Sequence, residues 1–247
     1  YKRSWQTDVS LLKNHLLPRL GKQSMDAIAR EDVVRMHHDQ LAAGYAPGSA
    51  NRLVILLRYI YNLALRWEVR GLTRNPAKDV PLFEENNQRD RYLSPQEFER
   101  LLAALDKSLN PMLRWIVPML VLTGARKREL LDARWNDFDI ARKCWRIPMS
   151  KSGKARYVPL SEAVLKLLTQ IPRHQETPWV FANERTGKPF TNIFHSWDRA
   201  RCEAGLADVR MHDLRHSFAS FLINGGRTLY EVQQILGHSQ SRTTQRY

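Results

Sequence analysis

Six side chains in the C-terminal part of the chain could together carry out phosphoryl transfer: two arginines, one lysine, two histidines and one tyrosine. Arg126 lies in Thr123-Gly124-Ala125-Arg126-Lys127-Arg128-Glu129-Leu130, just after an apolar run. The glycine breaks a helix there and Arg126 opens the next, where anions are favoured over cations, so a phosphate suits that arginine better than the dipole does. A local ion pair from Arg126 to Glu129 at i,i+3 is the competing use. Lys151 sits at the tip of Ser150-Lys151-Ser152-Gly153-Lys154, either as a solvated turn lysine or as a proton donor reaching into a site. His212-Asp213-Leu214-Arg215-His216 puts His212 and Arg215 three apart on one helical face. Leu236-Gly237-His238 is followed by Tyr247 nine residues later, one short helix away.

None of these segments offers a carboxylate cluster, a GxxxxGK[ST] loop or a cysteine pair. His212 and His216 have the spacing of a zinc-protease helix, but Asp213 stands where the glutamate belongs and Arg215 projects toward the would-be metal. The residues therefore predict phosphoryl chemistry with neither metal nor nucleotide. Two guanidiniums can fork onto nonbridging oxygens and offset their growing charge. A tyrosine hydroxyl with pKa about 10 is ionised in roughly one molecule in a thousand at pH 7. It needs positioned cations or a base, and His212 is the available base.

Helices dominate the elements that must position these groups. Leu11, Leu12, Leu16 and Leu17 form an apolar stripe stopped by Pro18 and Gly21; Val33, Val34, His37 and Leu41 form a second, ending at Gly44. Ser49 is the expected cap of a long helix carrying Ala50, Leu53, Val54, Leu57, Tyr61, Ala64 and Leu65. Its polar residues Arg52, Arg58 and Arg66 form either a solvated face or, if nucleic acid lies alongside, the face that meets it. The polar stretch Glu84 to Arg91 then interrupts the pattern, before the capping box Ser94-Pro95-Gln96-Glu97. A domain boundary near residue 88 follows, giving domains 1–88 and 89–247.

The second domain mixes elements. Leu101 to Leu105 and Met112 to Leu122 read as helices, the latter apolar on most sides and so central. Cys144 to Pro148 and Arg156 to Leu160 read as a hairpin, with Trp179 to Phe181 as a candidate third strand. Helices are expected over Asn192 to Ala204, His212 to Ile223 and Leu229 to Leu236, with a short one reaching Tyr247. The fold class is mainly α with a small antiparallel sheet.

Charge narrows the partner. Thirty-nine Lys and Arg against 25 Asp and Glu give +14 and a pI near 10.1, which predicts a polyanion, nucleic acid before membrane. Residues 91–247 hold 25 basic and 15 acidic side chains, and Arg142 to Arg156 holds six basic and no acidic ones. Like charges on a hairpin repel, so a phosphate backbone is their economical use. The longest apolar run, Trp115 to Leu122, is far short of the roughly 20 residues a spanning helix needs. Two cysteines, Cys144 and Cys202, are too few for a disulfide framework or a cysteine zinc site, and are expected as reduced thiols in a cytosolic protein.

TGARKREL, the KSGKARYVPL hairpin, HDLRH, LGH and the terminal Tyr247, in that order, resemble the motifs of the tyrosine recombinase (phage integrase) family. The resemblance covers the whole chain: a helical core-binding domain and a mixed α/β catalytic domain forming a clamp around DNA. It implies that Tyr247 attacks a scissile phosphate, giving a 3′-phosphotyrosyl link and a 5′-hydroxyl. Arg126 and Arg215 would clamp the nonbridging oxygens, with Glu129 orienting Arg126. Lys151 would protonate the leaving oxygen, His212 would serve as general base or acid, and His238 would donate to the phosphate. Lys127, Arg128, Lys154 and Arg156 are expected as further phosphate contacts.

The resemblance further implies no cofactor, neither ATP nor metal. It implies double-stranded attachment-site DNA as partner and a homo-tetramer on synapsed DNA, acting in the cytoplasm at the nucleoid. Accessory DNA-bending proteins would be compatible with it. Beyond Tyr247 a tail packing on a neighbouring protomer is expected, and before Tyr1 an arm-type DNA-binding domain. Three other readings compete: a DNA-binding module without chemistry, a metal-dependent nuclease using His212 and His216, and a type IB topoisomerase. The first leaves Tyr247, His212 and Arg215 unexplained, and the KSGK and LGH motifs favour a recombinase over the last.

Overall fold

The computed structural model describes residues 5–86, 91–148, 155–173 and 176–237. The chain divides into two compact units, Tyr1–Gln88 and Arg89–Tyr247.

In the first unit every described element is helical: α1 (Trp5–Leu11), α2 (Leu17–Leu20), α3 (Arg30–Ala42) and α4 (Pro47–Arg66), with a π-turn, Leu12–Leu16, joining α1 to α2. Pro18 therefore does not stop the first helix as its sequence suggests. Lacking an N–H, it cannot bond the preceding turn, and the helix widens just before it, with Leu17 N–H reaching back to Leu12 O. The long helix starts at Pro47 with Ala46 as its cap, ahead of the expected Ser49, because proline's fixed φ suits the first helical position. Leu16, Val33, Met36, Leu53, Val54 and Tyr61 fill the core.

Asn51 holds the far end of this unit. Its Nδ2 donates to Phe83 O at 2.9 Å and Glu85 Oε1 at 2.7 Å, and its Oδ1 accepts from Phe83 N–H at 2.9 Å. Arg58 has a similar duty. Its Nε donates to Ala77 O at 2.9 Å and Nη2 to Val80 O at 3.1 Å, which fastens the segment after α4 onto the helix. The DNA-facing role expected of Arg58 is thus corrected: its guanidinium serves two carbonyls of its own unit. Arg52 and Arg66 are exposed, seven-residue repeats apart on the face that also carries Ile55 and Tyr59.

The second unit is built around α6 (Leu113–Thr123), packed by α5 (Pro95–Asp106), α8 (Glu162–Gln170) and α10 (Asp213–Asn224). Leu113, Ile116, Val117, Met119, Leu120 and Val121 are all buried, as its all-round apolar sequence requires. The capping box at α5 forms as read: Glu97 N–H donates to Ser94 Oγ at 3.1 Å, and Ser94 N–H to Glu97 Oε2 at 2.8 Å. A three-stranded antiparallel sheet follows, β1 (Phe138–Asp139), β2 (Cys144–Ile147) and β3 (Arg156–Pro159), in that order, with Ile147 opposite Arg156. Trp179 makes only an isolated bridge to Arg134, so the expected third strand is replaced by β1. Helices α9 (Phe194–Glu203) and α11 (Leu229–Leu236) complete the unit, with α11 packed on α10 and β3.

Gly124 ends α6 and decides how closely its neighbours approach. Its φ of +60° is left-handed, and a Cβ built there would lie 2.2 Å from Phe218 Cδ1 and 2.8 Å from Leu236 Cδ2. Strain and overpacking combine in Gly124→Ala, which is expected to cost about 2–4 kcal/mol. A lowered urea midpoint for this variant checks it.

Candidate active site

Four stretches distant in sequence converge around Gly124. Arg126 caps a short helix, α7 (Lys127–Leu131), and is tied to Glu129 twice: its backbone N–H donates to Oε2 at 2.9 Å and its Nη1 to Oε1 at 2.7 Å. The competing ion pair is therefore formed, and it leaves the Arg126 side chain 27% exposed while Glu129 is only 7% exposed. Orientation of Arg126 and pairing with Glu129 are one arrangement.

Arg215 comes from the buried face of α10 and is 3% exposed. Its Nη1 donates to Gly124 O at 2.6 Å and its Nη2 to Leu236 O at 2.6 Å. A charged side chain is held this deep only because charge-assisted bonds to carbonyls replace water. The αL turn at Gly124 aims its carbonyl inward, so the glycine and the arginine are parts of one joint. That joint fixes the end of α6, and so the start of α7, against α10.

His212 stands one residue before α10 and is open to solvent on one side. Packing on its other side pushes its pKa below the ordinary 6.5, and His216, Arg215 and Arg126 push further the same way, with Asp213 opposing them. Its ring meets that of His216 edge-on at 5.1 Å between centroids. His212 thus lies within the field of both arginines, which favours its neutral form. Asp213, set where a zinc protease has its glutamate, instead accepts the Arg210 N–H at 2.8 Å. Among the described residues no three His, Cys, Asp or Glu side chains are grouped to hold a metal.

Arg156 corrects the sequence reading most sharply. Expected as a phosphate contact, it is buried, 7% exposed, with Nη2 donating to Glu129 Oε2 at 2.6 Å and Nη1 to Ile235 O. The strand's alternation explains this: Arg156 shares the inward face with Val158. Arg128 is likewise engaged, pairing with Asp132 and donating to Phe190 O at 2.7 Å. Lys127 is exposed. Lys151, Lys154, His238 and Tyr247 lie outside the described residues. The strand and helix that lead toward them, β3 and α11, are both fastened by Arg156.

Residues 91–247 match the Phage integrase family. The chain belongs to that family. It is a tyrosine recombinase, an enzyme of site-specific DNA recombination. It is 32% identical over 209 residues to the integrase of Haemophilus phage HP1, covering 81% of this chain and 55% of the phage protein. To the tyrosine recombinase XerC of Roseiflexus castenholzii it is 28% identical over 238 residues, covering 89% and 74%. The chain thus spans about half the length of the phage integrase it matches. Its fold is similar to that of a lambda integrase dimer bound to a COC′ core site, with a TM-score of 0.81 at 18% identity, covering 98% of this chain and 90% of that one. No helix among the described residues of this recombinase is long and apolar enough to cross a membrane.

Proposed function

We propose that this recombinase cuts double-stranded attachment-site DNA by attack of the Tyr247 hydroxyl on a scissile phosphate. The Tyr oxygen–phosphorus bond forms and the bond to the 5′ oxygen breaks, leaving a 3′-phosphotyrosyl link. Attack by a partner strand's 5′-hydroxyl reverses the step and exchanges strands, conserving bond energy. The observation that supports this reading best is the joint of Arg126, Glu129, Gly124 and Arg215, whose two guanidiniums act on His212. Two guanidiniums on one rigid support suit a pentacoordinate phosphorus, whose nonbridging oxygens gain charge as it forms.

Arg126 and Arg215 clamp those oxygens, His212 takes the tyrosine proton, Lys151 protonates the leaving oxygen, and His238 donates to the phosphate. Residues 1–88 act as the core-binding domain and 89–247 as the catalytic domain. Arg52, Arg66, Lys127 and Lys154 contribute backbone contacts. A net charge of +14 makes binding fall steeply with salt as counterions are released. Exchange of both strand pairs requires four protomers on synapsed DNA, in integration or excision of a mobile element. The test is covalent trapping on nicked fragments of the element's ends in EDTA. An adduct surviving denaturing electrophoresis is expected. Salt-sensitive binding without any adduct would overturn the reading.

His212 also sets a pH dependence. Its folded-state pKa is depressed, so the unfolded chain takes up a proton near pH 6.5 while the folded one resists. The contribution to stability is full above 6.5 and is lost as pH falls from there to the folded pKa. Single-turnover cleavage is expected to hold its rate through pH 6.5 and decline only below it, and His212→Gln to abolish that acid limb.

A further inference from the structure

We propose that Arg156 is a positioning residue for strand cleavage, acting by dividing the charge of Glu129 between two guanidiniums. This rests on the proposed role of Arg126 as a phosphate clamp. Glu129 is nearly enclosed, and its two oxygens receive three donors: the Arg126 N–H and Nη1, and Arg156 Nη2 at 2.6 Å. Burial on its own would push its carboxyl up. Arg156, with the bonds from Arg126, outweighs that and holds it below the usual carboxylate range. The carboxylate is therefore ionised, and the trio carries one net positive charge.

Without Arg156 the remaining pair would be neutral. Glu129 would then draw the Arg126 side chain inward and cancel the charge that the scissile phosphate needs. Arg156 itself lies on the inner face of β3, with Nη2 on Glu129 and Nη1 on Ile235 O. Its second anchor fixes where this charge sits. Nη1 donates to Ile235 O in the last turn of α11, and Gly237 presses so closely that a Cβ there would lie 2.7 Å from Arg156 Cδ. Gly237 is the left-handed cap of α11, at φ +65°. One side chain thus locks together strand β3, the carboxylate behind Arg126, and the end of α11.

A plain structural ion pair would give the same contacts, so the test must read charge at the phosphate. Single-turnover adduct formation is compared on the normal trapping substrate and on one with a methylphosphonate at the scissile position. The methyl group replaces a nonbridging oxygen and removes the charge that a clamp would offset. Arg156→Met is expected to slow cleavage of the normal phosphate about 10- to 100-fold, less than the 10²–10³ lost with a donor that touches the oxyanion. On the methylphosphonate the same variant should lie within a few-fold of the parent enzyme. Adding Glu129→Gln to Arg156→Met should restore most of the loss, because the glutamine no longer neutralises Arg126. The double variant also leaves no unpaired buried charge, so it guards against failure of the single variant to fold.

Equal slowing of Arg156→Met on both substrates, or no recovery in the folded double variant, would overturn the proposal. Arg126→Ala is the control for the reading beneath it. If that variant is not relieved by the methylphosphonate, the phosphate-clamp role of Arg126 fails. If it is relieved and Arg156→Met is not, only the charge-sharing role fails.

Discussion

Tyr247→Phe is expected to abolish the covalent DNA adduct while leaving binding and its salt dependence unchanged. The substitution deletes one oxygen and no charge, so the +14 that draws the protein to the phosphate backbone is untouched. The lost oxygen is the attacking atom. Removing a nucleophile from a preorganised site costs on the order of 10⁶ in rate where it has been measured, well beyond the loss of any one supporting group. The residual rate should fall below detection on a denaturing gel, with filter binding or mobility shift reporting normal affinity. Adduct at the parent level in Tyr247→Phe would transfer the nucleophile's role elsewhere and remove the basis for the proposed mechanism. The variant also separates an enzyme from a DNA-binding module, which would show the same binding and no adduct before or after the change.

The second large effect belongs to Arg215→Lys, a substitution that keeps the charge and loses the geometry. The guanidinium spans two carbonyls from different elements, Gly124 O and Leu236 O, at 2.6 Å each. A lysine offers a single ammonium on a flexible stem and cannot fork onto both while also facing a phosphate. One carbonyl is left without its donor in a site 3% exposed, at a cost of about 1–3 kcal/mol. The joint that sets α6 and α11 against α10 loosens, and with it the placement of Arg126 two residues beyond Gly124. Cleavage is expected to fall about 10²–10³-fold, the scale for losing a preorganised donor. Thermal unfolding should show a modest drop. Comparison with Arg66→Lys, an exposed change on the first unit, provides the scale for a charge-conserving substitution without such a joint. Cleavage by Arg215→Lys close to that comparison would refute the forked role.

Much of this organisation follows from local chemistry in the sequence. The capping box at Ser94, the glycine that ends α6 and the apolar stripes of α3, α4 and α6 each depend on residues within a few positions of one another, so their elements could be read directly. The order of the recombinase motifs is also a property of the sequence alone, as is the excess of basic residues in its second part. Short elements were less legible. Strand β1 has two residues, too few for any period, and α8 has only nine, with Ser161 as its cap and Val164 and Leu168 on its buried face.

What only the tertiary structure decided is where each arginine spends its guanidinium. Composition treats Arg58, Arg128, Arg156 and Arg215 alike, as positive charge for DNA. Arg58 reaches carbonyls 19 and 22 residues away, Arg156 reaches Glu129 27 residues away and Ile235 79 away, and Arg215 reaches Gly124 across 91. No local rule gives those partners, because they exist only after distant elements pack. One sequence signal did bear on Arg156: it keeps step with Val158 and Leu160 at every second residue, the inward register of its strand. Charge pulled the reading outward, whereas the strand's period pointed inward. In the folded chain the period prevailed, because a carboxylate and a carbonyl waited on that side to receive the charge.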